Sequence, residues 1–170
     1  RRHPAWRFCH TALASTERHN QLHTVQQNLS ILAPLGLDIA DAPATMGYSE
    51  QDWRASRALL PAGFQDNYIV IQPTSRWFFK CWREGRMSAL INALSEAGYP
   101  VVLTSGPDAR EKQMIDTIMA GCPNARLHSL AGLLTLRQLA SVIDHARLFI
   151  GVDSVPMHMA AALGTPLVAL

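Results

Sequence analysis

The chain has 170 residues, 48% hydrophobic and 16% charged, with a formal net charge of +2 and a pI near 8.6. That composition suits one sizeable core, or one domain and part of another, and excludes a low-complexity chain. The small basic excess gives no ground for nucleic-acid binding and is compatible with an anionic ligand.

The three cysteines, Cys9, Cys81 and Cys122, are scattered without a Cys-x-x-Cys pair, which points to free thiols in a reducing compartment. No apolar run approaches the ~20 residues that cross a bilayer, and the opening RRHPAWRFCH has no signal-peptide pattern.

In chain order, STERHNQLHTVQQNLSILAPLG reads as one amphipathic helix. Leu22, Val25, Leu29 and Leu32 share a face, Ser15 or Thr16 can cap the start, and Pro34 and Gly36 stop it. SEQDWRASRALL reads as a short second helix, with Ser49 and Asp52 at capping-box spacing, and Pro61 and Gly63 mark a linker. From NYIVIQP onward, short β-branched runs alternate with helical patterns. The predicted strands are NYIVIQP, PVVLTSG, ARLHSLAG, RLFIGVD and PLVAL, and helices begin near Trp82, Asp108, Thr135 and Val155. This alternation predicts an α/β fold, a Rossmann-like parallel sheet of about five strands with helices on both faces. Three sections follow: residues 1–47, a short helix and linker over 48–66, and the sheet domain over 67–170.

Ligands of open parallel sheets sit at the carboxyl ends of the strands, so the loops there carry the chemistry. QPTSRWFFKCW offers Thr74, Ser75, Arg76 and Lys80: hydroxyl donors and cations that suit a phosphate, or equally a solvated cationic loop. The interleaved Trp77, Phe78, Phe79 and Trp82 read first as core or domain-interface packing, and second as contact with a lipid surface or a stacked base. Asp108 opens a helix, where an acid suits the macrodipole; it also lies at the edge where a carboxylate could hold a ribose. Asp153 ends a strand, Ser154 can cap the next helix, and Pro156 fits its first turn. That helix start is either a well-capped end or an anion site. His158 sits one turn in and can face the same loop, whereas His128 and His145 read as structural. Two fingerprints are absent, GxGxxG and GxxxxGK[ST]. His19 and His23 have metal-ligand spacing, but HNQLH lacks the glutamate of HExxH and a third ligand, so no metal is expected.

DSVPMHMAAALGTPLVAL resembles the lipopolysaccharide heptosyltransferases of glycosyltransferase family 9. The family pattern is Asp-Thr/Ser-Gly, two residues, His, then Ala-Ala-x-Gly-x-Pro. Asp153, Ser154, His158, Ala161, Ala162, Gly164 and Pro166 match it. QPTSRWFFKCW looks like the family's Thr/Ser pair followed by Lys-x-Trp, LTSGPDARE is similar to its Gly-x-Asp/Glu site, and HTVQQNLSILAPLGLD is similar to the last long helix of its first domain. The aromatic-rich segments look most like the heptosyltransferase III branch. One departure stands at Val155, where the family usually has glycine.

The resemblance implies an inverting, metal-independent transferase of the GT-B arrangement, with two facing Rossmann-like domains. Residues 1–47 would be the tail of the acceptor domain and 67–170 a truncated donor domain. The donor would be ADP-heptose, and the acceptor the inner-core oligosaccharide of lipopolysaccharide. The location would be cytoplasmic, peripheral to the inner membrane. Thr74, Ser75, Lys80, Ser154 and Val155 would hold the donor phosphates, Asp108 the ribose, and Asp153 and His158 the donor sugar or the loop. The family's candidate base lies in a Gly-Asp motif near the start of its first domain, outside this sequence. The chain therefore reads as an internal fragment, inactive by itself. Other readings are a nucleotide-binding module without activity, or another GT-B enzyme such as a UDP-sugar transferase or an epimerase. RNA binding by SRWFFKCWR is disfavoured by the modest charge.

Overall fold

A computed structural model describes residues 11–14, 21–37, 43–64 and 67–170. Cys9, Ser15, Thr16 and His19 lie outside these, so the reading of a cap at residue 15 or 16 and of a His19/His23 pair falls outside the described residues. The chain divides into two compact units, Arg1–Ala44 and Thr45–Leu170.

In the first unit the expected single long helix is a short one. Helix α1 (Thr24–Leu29) starts at His23, whose Nδ1 accepts from the Val25 amide at 3.3 Å. A 3-10 segment, Ser30–Leu35, follows and ends at Gly36 in the left-handed region at φ 74°. The reason lies in Pro34, which has no amide to donate and whose ring clashes with the carbonyl four residues back, so α-geometry cannot continue.

The second unit is built on a parallel sheet. Its strands are β1 (Ile69–Gln72), β2 (Val101–Leu103), β3 (Leu127–Ser129), β4 (Leu148–Gly151) and β5 (Leu167–Ala169), in the order β3-β2-β1-β4-β5. The connecting helices are α3 (Glu84–Glu96), α4 (Ala109–Ala120), α5 (Leu136–Asp144) and α6 (Val155–Leu163). The registers place Ile69 opposite Val101 and Leu148, and Gln72 opposite Gly151.

Strand β1 is buried on both faces, as a central parallel strand must be. Alternation sends its side chains to two cores. Val70, with Val102 and Phe149, meets Val142 and Ile143 of α5 and Ala160 of α6. Ile69 and Ile71, with Val101 and Leu103, meet Ile91 of α3 and Ile115 and Ile118 of α4. Full burial of each such side chain stabilises by about 1.5–3 kcal/mol, so the central strands, sealed from water on both sides, fix the sheet.

Residues 48–66, read above as a short helix and linker, lie in the second unit. Helix α2 (Glu50–Arg57) opens with the expected Ser49–Asp52 capping box and packs on α5. At the contact the buried hydroxyls of Ser56 and Ser141 stand 2.8 Å apart, the Trp53 and His145 rings stack at 3.7 Å, and Tyr48 donates to Asp144 Oδ2 at 2.5 Å.

Candidate functional site

Strands β1 and β4 are neighbours whose connections leave in opposite directions, one toward β2 and β3 and the other toward β5. Such a reversal opens a crevice outside the strand ends. A cavity of about 510 Å³ lies there. One wall is the loop after β1, with Thr74, Ser75, Arg76 and Trp77, and the facing wall runs from Asp153 to Pro156. Ser105, Gly106, Pro107 and Glu111 close one end, and Leu134, Leu136 and Leu139 supply an apolar side.

The floor is a sealed polar network. Thr104 donates to Gln72 Oε1 at 2.7 Å, and Gln72 Nε2 donates to Thr74 Oγ1 at 2.8 Å. Thr74 Oγ1 donates in turn to Glu111 Oε2 at 2.6 Å, and the Gly106 amide donates to the same oxygen at 3.0 Å. Gln72, Thr74 and Thr104 are each at most 3% exposed, so these partners are obligatory. Thr74, expected to donate to a phosphate, thus has its proton committed to Glu111. Ser75 is similarly engaged: its hydroxyl accepts from the Trp77 amide at 3.3 Å and lies 3.5 Å from the Asp153 carbonyl.

The cationic side of the site is better exposed. Lys80 leaves a 3-10 turn, Phe78–Lys80, and its Nζ meets Asp153 Oδ2 at 2.5 Å. His158 Nε2, one turn into α6, stands 3.6 Å from the other oxygen. The Lys80 hydrogen bond and charge, then His158, hold the Asp153 carboxyl below the usual aspartate range. Lys80, Asp153, Ser154 and Val155 are therefore gathered at one place, with His158 beside them. Ser154 occupies the N-cap position, but its hydroxyl donates back to the Val152 carbonyl at 3.0 Å and makes no cap bond. No side-chain oxygen caps the first turn of α6, where Pro156 has no amide and the Met157 amide donates to the Ser154 carbonyl at 3.1 Å.

Asp108 is placed differently from the ribose expectation. It caps α4, its Oδ1 accepting from the amides of Arg110 at 2.9 Å and Glu111 at 3.3 Å, and it does not line the cavity. The acid that lines the cavity from this stretch is Glu111, one turn later. The sequence reading missed it, although it stands in the same LTSGPDARE stretch: an N-cap carboxylate points at its own helix amides, while a residue on the next turn points back over the preceding loop. The aromatic run also departs from core packing. Phe78 packs into the core beneath, with the Arg110 guanidinium 3.8 Å over its ring, but Trp77 and Phe79 are exposed. Among the described residues no group of three or more His, Cys, Asp or Glu side chains could hold a metal ion, and no helix is long and apolar enough to cross a membrane.

Residues 5–170 match glycosyltransferase family 9 (heptosyltransferase). The chain belongs to this family. It is 47% identical over 166 residues to lipopolysaccharide heptosyltransferase 3 of Escherichia coli, covering 97% of this chain and 48% of that protein. The chain thus spans about half the length of the curated relatives it matches. The family's fold is evident in solved structures. A family 9 glycosyltransferase from Veillonella parvula superposes with a TM-score of 0.75 at 21% identity, over 86% of this chain and 43% of that one. The E. coli ADP-heptose lps heptosyltransferase II does so at 0.63 and 26% identity, over 74% and 38%. In this family 9 chain the crevice at the β1–β4 reversal is lined by parts of the three stretches that carry the family pattern: residues between 72 and 77, between 105 and 111, and from 153 to 156.

Proposed function

We propose that this chain forms the donor-binding part of an inverting heptosyltransferase that takes heptose from ADP-heptose to the inner-core oligosaccharide of lipopolysaccharide. The observation that carries this reading is the crevice lined by Asp153, the start of α6 and Glu111, with Lys80 at its edge on the Asp153 carboxylate. The identity to a lipopolysaccharide heptosyltransferase supports the choice of donor and acceptor.

In this reading the ADP diphosphate lies between the loop after β1 and the first turn of α6. Lys80, with the helix dipole of α6, supplies the positive charge, and no metal is needed for it. Charge developing on the departing diphosphate is stabilised there, which lowers the barrier to transfer. Lys80 exchanges Asp153 for a phosphate oxygen. Asp153 then turns to heptose hydroxyls, and His158 donates to a sugar or phosphate oxygen. Thr74 and Ser75 hold the loop in shape. Glu111, rather than Asp108, accepts from the ribose hydroxyls, and the leucine side of the cavity takes the adenine. The acceptor hydroxyl attacks the anomeric carbon from the side opposite ADP, so the configuration inverts. The acceptor is lipid-anchored, which puts the working enzyme at the cytoplasmic face of the inner membrane, bound peripherally.

Calorimetric titration of the chain with ADP and with UDP tests this. ADP should bind, UDP should bind more weakly, and Lys80→Ala should weaken ADP. An absence of ADP binding, or equal ADP affinity in Lys80→Ala, would overturn it.

A further inference from the structure

The donor reading assigns no role to the exposed rings of the loop after β1. Trp77 is 60% exposed and Phe79 81%, while Phe78 packs inward and Trp82 is 38% exposed. Adjacent large apolar surfaces left in water mark a binding surface. These two rings are also held in place. Their centroids stand 6.1 Å apart at 45°. The Lys80 amide donates to the Trp77 carbonyl at 2.9 Å, and the Trp77 amide donates to Ser75. The Lys80–Asp153 pair ties the turn to the end of β4. Trp77 lines the cavity itself, so the exposed rings continue its wall outward. Arg76 lines the same wall, and among the described residues no acid lies within ion-pair distance of it.

We propose that Trp77 and Phe79 form a stacking platform for a pyranose ring of the acceptor, with Arg76 meeting an anionic group on that glycan. The inference rests on the donor reading, which puts the diphosphate against the loop that carries Trp77. The chemistry is general. The C–H faces of a sugar ring carry slight positive charge and pack on the negative face of an aromatic ring. Two rigid rings supply that area with few torsions to freeze. An arginine binds a phosphate or carboxylate in two-point fashion. Continuity with the cavity favours a glycan over a bilayer surface, because a flat membrane can meet Phe79 but cannot enter the wall that Trp77 forms.

The test titrates the chain with delipidated, heptose-containing core oligosaccharide, phosphorylated or enzymatically dephosphorylated, with and without saturating ADP. Tryptophan fluorescence and calorimetry are the readouts. The wild-type chain should bind the phosphorylated glycan. Phe79→Ala should weaken it about tenfold or more while ADP affinity stays within about twofold. Arg76→Gln should erase the difference between the two glycan forms. Glycan binding indifferent to Phe79→Ala overturns the platform. So does the absence of glycan binding together with Phe79-dependent capture by phosphatidylglycerol vesicles, which would make the rings a membrane patch. ADP affinity is scored separately: wild-type chain that binds glycan through Phe79 but not ADP sinks the donor reading and leaves the platform standing.

Discussion

Lys80 Nζ and Asp153 Oδ2 stand 2.5 Å apart although 73 residues separate them in the chain. The pair joins the loops leaving β1 and β4, which are neighbours only because the strand order reverses there. It partly neutralises the ammonium that the phosphate reading needs, so donor binding must compete with an internal carboxylate.

Lys80→Ala should therefore show in ligand affinity and in one titration. Loss of a charge-assisted bond to phosphate weakens ADP by about tenfold or more. The Asp153 carboxyl, held low chiefly by Lys80, should titrate higher, back toward the ordinary value of about 3.9. The sign is that of a lowered folded pKa: the pair adds stability above the unfolded value and loses it as pH falls through the lower folded one. Carboxyl-carbon NMR across that acid range checks it. The melting temperature near neutral pH should hardly move, because both side chains are solvent-accessible.

Asp108→Ala and Glu111→Ala should separate a cap from a site. The first removes two amide acceptors at the start of α4 and costs about 0.5–2 kcal/mol in urea unfolding, with ADP affinity retained. The second strands the buried Thr74 hydroxyl and the Gly106 amide, costs about 1–3 kcal/mol, and weakens ADP as well. Loss of ADP binding confined to Asp108→Ala would return the ribose role to that residue.

Alkaline stability should depend on Tyr48. Burial first, then the hydrogen bond and charge of Asp144, push its phenol up to about 12. Burial raises Tyr68 as well, whose hydroxyl donates to the Val142 carbonyl at 2.7 Å. A raised folded pKa gives stability that is whole below the unfolded value of about 10 and is lost as pH climbs through the folded one. Tyr48→Phe should flatten the decline between these limits and remove one late-titrating phenol from the phenolate absorbance curve.

Two glycines should respond oppositely to alanine. Gly132 has φ +69°, and a Cβ there would stand 2.5 Å from Lys112 Cε and 3.1 Å from the Pro107 Cα. Gly132→Ala should destabilise by about 1 kcal/mol or more and loosen the cavity end that Pro107 forms. Gly85, in the first turn of α3, has open space around its Cα. Gly85→Ala should stabilise by about 0.4–1 kcal/mol. Urea unfolding of both variants checks the pair.

Much of this was local and therefore legible in the residues. The β-branched runs and helical spacings marked five strands and four connecting helices, because burial on one side of a helix or both sides of a strand leaves a period in the chain. The Ser49–Asp52 box was readable because caps act over three or four residues. The family pattern marked strand ends whose loops line the crevice. Ser154 and Asp108 chose between local partners, each bonding a backbone group two residues away. Tertiary structure decided which groups meet across the chain. Thr74 donates to Glu111 and Lys80 meets Asp153 because the packed sheet and helices bring those groups within about 3 Å. That depends on strand order and register across tens of residues, which no local period records.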